Sequence, residues 1–111
     1  MNRLLNMLGL CARAGKLITG EKACVQAART GSVYAMLLDG AASDNAVKAV
    51  SQACISHGVP LLRTGAFELG DAIGKPGRMA AGVTDAGMAA RIIELDHAGG
   101  PADDNRPEGP Q

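Results

Sequence analysis

Two hydrophobic periods alternate along this chain. Leu4, Leu8 and Cys11 share one helical face, widened by Leu5 and Ala12, while Arg3, Asn6 and Arg13 lie elsewhere and Gly15 ends the helix. Leu17 and Ile18 then read as a short strand, Thr19-Gly20 as a turn or cap, and the residues from Glu21 to Gly31 as a helix. Val33 to Gly40 is an apolar run between turn residues, suited to a strand covered on both faces. Ser43 is a natural N-cap, Asp44 favours the positive helix start, and Val47, Val50 and Cys54 repeat on one side until His57-Gly58 closes the helix. His57 is there a partner of the helix C-terminal dipole rather than a ligand or base. Val59 to Arg63 predicts a strand with Pro60 near its beginning, where a missing donor is tolerated. Ala66 to Gly74 predicts a short helix with Phe67, Leu69, Ala72 and Ile73 available for burial. Met79 to Val83 predicts a fourth strand, weakened by Gly82, and Thr84-Asp85 caps a last helix with Met88, Ile92 and Leu95 on one face.

One helix followed by four strand-helix pairs predicts an α/β fold, a three-layer α/β/α sandwich with helices on both faces of a small sheet. At 111 residues the chain is long enough for one domain with a real core, assigned here to residues 1–97. Residues 98–111 carry glycine, proline and acids with no apolar side chain larger than alanine, and read as a disordered acidic tail. With aromatics nearly absent the core is aliphatic, and Tyr34 and Phe67 are expected as core or edge residues rather than base-stacking platforms.

Charge changes the picture by its distribution. The formal total is zero, which argues against a generally basic binder. Up to Gly31, however, Arg3, Arg13, Lys16, Lys22 and Arg29 stand against Glu21 alone, whereas beyond Ala80 six acids stand against two arginines. A basic first third permits a polyanionic partner, which the acidic end either shields against or merely helps to keep soluble. Cys11, Cys24 and Cys54 are widely spaced in apolar surroundings, which fits small buried thiols in a reduced, cytosolic protein. Two histidines far apart suggest no metal site with them. The amphipathic N-terminus is too interrupted for a secretory or membrane-spanning segment.

The chemistry concentrates at Ala14 to Gly31. A glycine between a strand and a helix collects free backbone N–H groups at the positive end of the peptide dipoles, close to Lys16 and Lys22, which makes an anion-binding corner. Taken alone, the stretch reads more simply as a turn at Gly20 with solvated lysines. Gly70 to Lys75 (GDAIGK) is not a phosphate loop, because three residues rather than four separate its glycines and Pro76 follows the lysine. No catalytic constellation and no cofactor motif is visible.

The ordered blocks GLCARAGKLITGEKACVQAARTG, AMLLDGAASDNAVKAVSQAC, HGVPLLR, ELGDAIGK and GVTDAGMAARI resemble the kink-turn-binding ribosomal protein family of the L-seven-Ae and L-thirty-e type, and its small bacterial members most closely. The resemblance spans Leu4 to Leu95. It implies a mixed, mostly four-stranded sheet and RNA binding without catalysis. In that family a strand-to-helix corner with glycine, asparagine, glutamate and lysine enters the opened groove of a sharp RNA bend. Those positions fall on Gly20, Lys22, Ala23 and Gln26, so a carboxylate acceptor and a formal charge are missing from the base-reading face.

The resemblance therefore implies phosphate positioning by the amides at Thr19-Gly20 with Lys16, Lys22, Gln26 and Arg29, and by Arg13, with weaker base selectivity. A second loop that shelters a protruding base corresponds to Thr64 to Phe67, where Gly65 and Ala66 allow close backbone approach; Phe67 either stacks on a base or anchors the following helix. The expectation is a monomeric cytoplasmic protein, ribosome- or ribonucleoprotein-associated, whose partner is kink-turn or similarly bent structured RNA, with no DNA, membrane, metal or cofactor. Two alternatives stand beside it. A protein-interaction module on the same scaffold predicts an apolar exposed patch. A small enzyme binding a phosphorylated ligand at Gly20 predicts a deep pocket with convergent acids or histidine.

Overall fold

The computed structural model describes residues 2–99. The chain runs α1 (Arg3–Arg13), β1 (Leu17–Thr19), α2 (Glu21–Thr30), β2 (Ala35–Leu38), α3 (Asp44–His57), β3 (Leu61–Arg63), α4 (Glu68–Ile73), β4 (Ala80–Val83) and α5 (Ala86–Gly99). Local chemistry sets the ends. At α1 the Asn2 side chain accepts from the amides of Leu4 (2.7 Å) and Leu5 (3.3 Å). Ser43 Oγ accepts from Ala46 N at 3.1 Å, and Asp85 Oδ1 accepts from Met88 N at 2.9 Å. Helices α2 and α3 stop at Gly31 and Gly58, both left-handed, as the Gly signals predict.

The four strands form one mixed sheet in the order β1-β4-β2-β3, with β4 antiparallel to β1 and β2, and β2 parallel to β3. Every residue of the central strands β2 and β4 is buried. Their alternation feeds two cores. Ala35, Leu37, Ala81 and Val83 pack with Leu4, Leu8, Leu69 and Ile92 under α1, α4 and α5. Met36, Leu38 and Ala80 pack with Cys24, Ala28, Val50 and Cys54 under α2 and α3. The α/β/α sandwich is thus built as the alternating periods predict.

Two expectations are corrected. Gly82 does not weaken β4: a Cβ there would lie 2.8 Å from Val33 Cγ1, so the missing side chain lets the α2/α3 core close on the sheet. Phe67 is not buried with α4; it is 62% exposed, and Tyr34 is 49% exposed. The 98–111 tail lies outside the described residues, except that the backbone of 98 and 99 continues α5. Among the described residues no helix is long and apolar enough to cross a membrane.

The strand directions decide where function sits. The C-terminal ends of β1, β2 and β3 and the N-terminal end of β4 emerge along one rim of the sheet. Ala80, Leu38 and Arg63 are paired across it, and Gly20 joins the row by donating its N–H to Ala80 O at 3.0 Å. Three inter-strand steps separate Gly20 from Arg63, about 14 Å at the usual strand spacing.

Candidate nucleic-acid interface

At one end of this rim, β1 turns into α2 at Gly20, whose φ of 101° and ψ of 145° are open to glycine and strained for any residue with a Cβ. Gly20 has no side chain to cap the helix. The amides of Glu21, Lys22 and Ala23 therefore have no partner among the described residues, and hydrogen bonding inside the helix begins with Cys24 N to Gly20 O at 3.0 Å. Lys22, Ala23 and Gln26 are all exposed, opposite the buried Cys24, Ala27 and Ala28. Lys22, Gln26 and Arg29 form one solvent-facing stripe roughly 10 Å long.

Arg78 completes the corner. It enters through the turn closed by its own N–H to Lys75 O at 3.2 Å, after Gly77 at φ 90°. Its Nη1 would lie 3.4 Å from a Cβ at Gly20, so a guanidinium stands beside the open helix start. Arg91–Glu94 is the one ion pair among the described residues, which leaves Lys22, Arg29 and Arg78 without a carboxylate partner. Arg78 and Arg63, at the opposite end of the row, were not among the sequence-derived site residues. Both lie far along the chain from Gly20, and the pairing of β4 with β1 and of β3 with β2 is what brings them to its rim.

The second loop, Thr64 to Phe67, stands at the β3 end of the same rim and is organised by a buried carboxylate. Asp39 is fully buried. Its Oδ2 accepts from Phe67 N (2.7 Å) and Ala41 N (2.8 Å), and its Oδ1 from Leu69 N (3.0 Å) and Thr64 Oγ1 (3.2 Å). Burial pushes the pKa of Asp39 up, but the amides of Ala41, Leu69 and Phe67 and the Thr64 hydroxyl outweigh it and hold the carboxyl pKa below its ordinary value. Gly40 seals the arrangement: a Cβ there would sit 2.9 Å from Ala66 N and Thr64 O. Gly65 N donates to Glu68 Oε1 at 2.9 Å. The loop ends at Phe67, the one non-glycine residue with positive φ (65°) among those described, presented to solvent as the N-cap of α4.

The other sequence-predicted residues are distributed differently. Thr19 ends β1 at the corner, half-buried, opposite Ala81. Lys16 precedes β1 at its opposite end, roughly 13 Å of strand away from Gly20, where its carbonyl accepts from Thr84 N at 3.0 Å. Arg13 ends α1 on the other helical layer. The basic first third is therefore divided rather than gathered.

A different asymmetry replaces it. The α2/α3 layer carries Lys22, Arg29 and Lys48 against Glu21 and Asp44, both in first turns. The α1/α4/α5 layer carries Arg3, Arg13 and Arg91 against Glu68, Asp71, Glu94 and Asp96. A groove of about 490 Å³ lies on that second layer between α1 and α4, with Leu5, Gly9 and Ala72 beside Arg13, Glu68 and Asp71. Among the described residues no three His, Cys, Asp or Glu side chains gather as metal ligands.

Residues 2–93 match the Ribosomal protein L7Ae/L30e/S12e/Gadd45 family. This chain belongs to that family. Among its relatives, RNA-binding protein YlxQ of Bacillus subtilis is 36% identical over 90 residues, 80% of this chain and 90% of that one. The YlxQ protein of Enterococcus faecium is 34% identical over 94 residues, 84% of this chain and 90% of its own. A Bacillus halodurans protein of unknown function superposes with a TM-score of 0.82 at 36% identity, covering 86% of this chain and 97% of the other. The Giardia lamblia 15.5kD RNA binding protein shares the fold at a TM-score of 0.70 and 22% identity, covering 86% and 85%.

Proposed function

We propose that this chain is a non-enzymatic RNA-binding protein that recognises kink-turn or similarly bent RNA through the rim just described, in a cytoplasmic ribonucleoprotein or ribosomal setting. One observation carries the reading: the unpartnered amides of the α2 start stand beside two uncompensated cations, Lys22 and Arg78, at a corner whose backbone only glycine adopts freely. Such a corner offers N–H groups, a helix dipole and guanidinium donors to phosphate oxygens. The family to which the chain belongs and the YlxQ relatives, which are named as RNA-binding proteins, support the same class of partner.

Ala23 and Gln26 stand where the family's pattern has a carboxylate and a lysine, so recognition rests on the shape and phosphates of the bend more than on base edges. The Thr64 to Phe67 loop, about 14 Å along the rim, offers small residues and an exposed ring to an extruded base. The apolar patch expected of a protein-interaction module finds little support. Leu10 and Ile55 lie on opposite helical layers, and Tyr34 and Phe67 at opposite ends of the sheet.

The deciding experiment measures affinity for a kinked duplex and a matched unkinked duplex at several salt concentrations. The kinked RNA should bind more tightly, with log K falling against log salt at a slope of roughly −3 to −5 if three to five phosphates are neutralised. Lys22→Glu should weaken binding sharply without unfolding the chain. Equal, weak binding to both duplexes would refute the proposal.

A further inference from the structure

Helices α2 and α3 both begin at the rim, after β1 and β2, and run away from it in the same direction against the same face of the sheet. Beyond their first turns they hold no acid: Glu21 lies about 12 Å along α2 from Arg29, and Asp44 about 18 Å along α3 from Ser56. Between their distal halves lies an open groove of about 300 Å³. Val25 and Ala53 contribute apolar surface to it, and Arg29, Gln52, Ser56 and His57 line it. All four of those polar side chains are exposed.

Resting on the function proposed above, we infer that this groove is a second phosphate-binding surface, which carries the backbone of the RNA arm leaving the Gly20 corner. Continuity argues for it. The stripe Lys22, Gln26, Arg29 leads from the corner into the groove in roughly 10 Å, so a strand held at the helix start is delivered there without crossing an acidic surface. The donors fit as well. One permanent guanidinium with an amide, a hydroxyl and an imidazole matches a singly charged phosphodiester, whereas a terminal phosphate with two charges calls for more than one fixed cation. The small apolar side chains present a surface on which ribose can rest. Helix α3 thereby becomes part of the interface, and the readout it adds is arm length rather than sequence.

The test uses the full chain and two RNAs with the same bend. In one RNA the arm stops at the corner; in the other it continues for roughly one duplex turn. Wild-type protein should bind the long-armed RNA more tightly, with a salt slope steeper by roughly 1 to 2 for one or two additional phosphates. Gln52→Glu combined with Ser56→Glu, both at exposed positions, should remove that increment. Affinity for the long-armed RNA should then fall roughly five- to tenfold at low salt, to the short-armed level, with binding of the short-armed RNA unchanged. Arg29→Gln, on the stripe that joins corner and groove, should weaken the long-armed complex more than the short-armed one. Equal wild-type affinities and slopes for the two RNAs would overturn the inference while leaving the corner reading intact, as would a variant that weakens both complexes alike. If neither RNA is bound in preference to an unkinked duplex, the corner reading falls and takes the groove with it.

Discussion

The two loops of the rim are built in opposite ways. The Gly20 corner donates its own N–H to Ala80 and leaves its next three amides free. The Thr64 to Phe67 loop is tied at Thr64, Phe67 and Leu69 to one buried carboxylate and closed by the approach of Gly40. One loop leaves its donors open; the other spends them on its own shape. An interface that must grip a backbone and also receive a base gains from both, because free donors bind anions and a fixed loop offers a preformed surface.

The contrast breaks most severely at Asp39. Asp39→Ala leaves the amides of Phe67, Leu69 and Ala41 and the Thr64 hydroxyl without their acceptor and should cost roughly 3–5 kcal/mol in urea unfolding. A loss below about 1 kcal/mol would mean that the network does not hold the loop. The same carboxylate predicts a direction with pH. Its folded pKa lies below the unfolded value near 3.9, so its contribution is present above about pH 4 and is lost as pH falls through the folded pKa. Asp39→Asn should flatten that acid limb in melting curves taken across the acidic range.

The Gly20 corner should yield next. Gly20→Ala places a Cβ at φ 101° and 3.4 Å from Arg78 Nη1, for a loss of about 1–3 kcal/mol together with weaker RNA affinity. Unchanged thermal stability would show that the corner relaxes freely. The smallest effect has the opposite sign. Phe67→Gly relieves the left-handed backbone of an exposed residue, so after the added freedom of the unfolded chain it should stabilise by about 0.5–1 kcal/mol. If the exposed ring meets a base, RNA affinity should drop in the same variant. Greater stability with undiminished binding would remove Phe67 from the interface.

The two loops also differ in how far the sequence disclosed them. Gly20 was legible because its cause is local: a short apolar run, a glycine and a set of helix formers announce a strand-to-helix corner whatever the rest of the chain does. Asp39 was not, because Asp-Gly after an apolar run reads as an ordinary turn while its partners lie as far as 30 residues away. Arg78 shares that difficulty, since the antiparallel pairing of β1 with β4 is what sets it beside Gly20. Phe67 misled in another way. An aromatic residue ahead of a short helix reads as an anchor, and nothing local marks a backbone turned left-handed by the carboxylate under it. The basic first third was a true feature of the sequence that the fold disperses, because α1 crosses to the other layer and Lys16 falls at the wrong end of β1. The layer order itself, set by hydrophobic period, was readable throughout.

The opposed charges of the two helical layers have a consequence for encounter. A molecule with no net charge is neither drawn to nor repelled from a polyanion as a point, but one whose faces differ in sign has a dipole moment, and a field exerts a torque on it. If the rim proposed above is the RNA interface, this torque favours turning the α2/α3 side toward the RNA, within the roughly 8 Å over which charge is felt at physiological salt, and the α1/α4/α5 side away from it. Long-range electrostatics then set the approach angle before any contact forms. Collisions far from RNA phosphate gain nothing from it, so the same neutrality that forgoes general attraction keeps the protein from lingering on the wrong polymer.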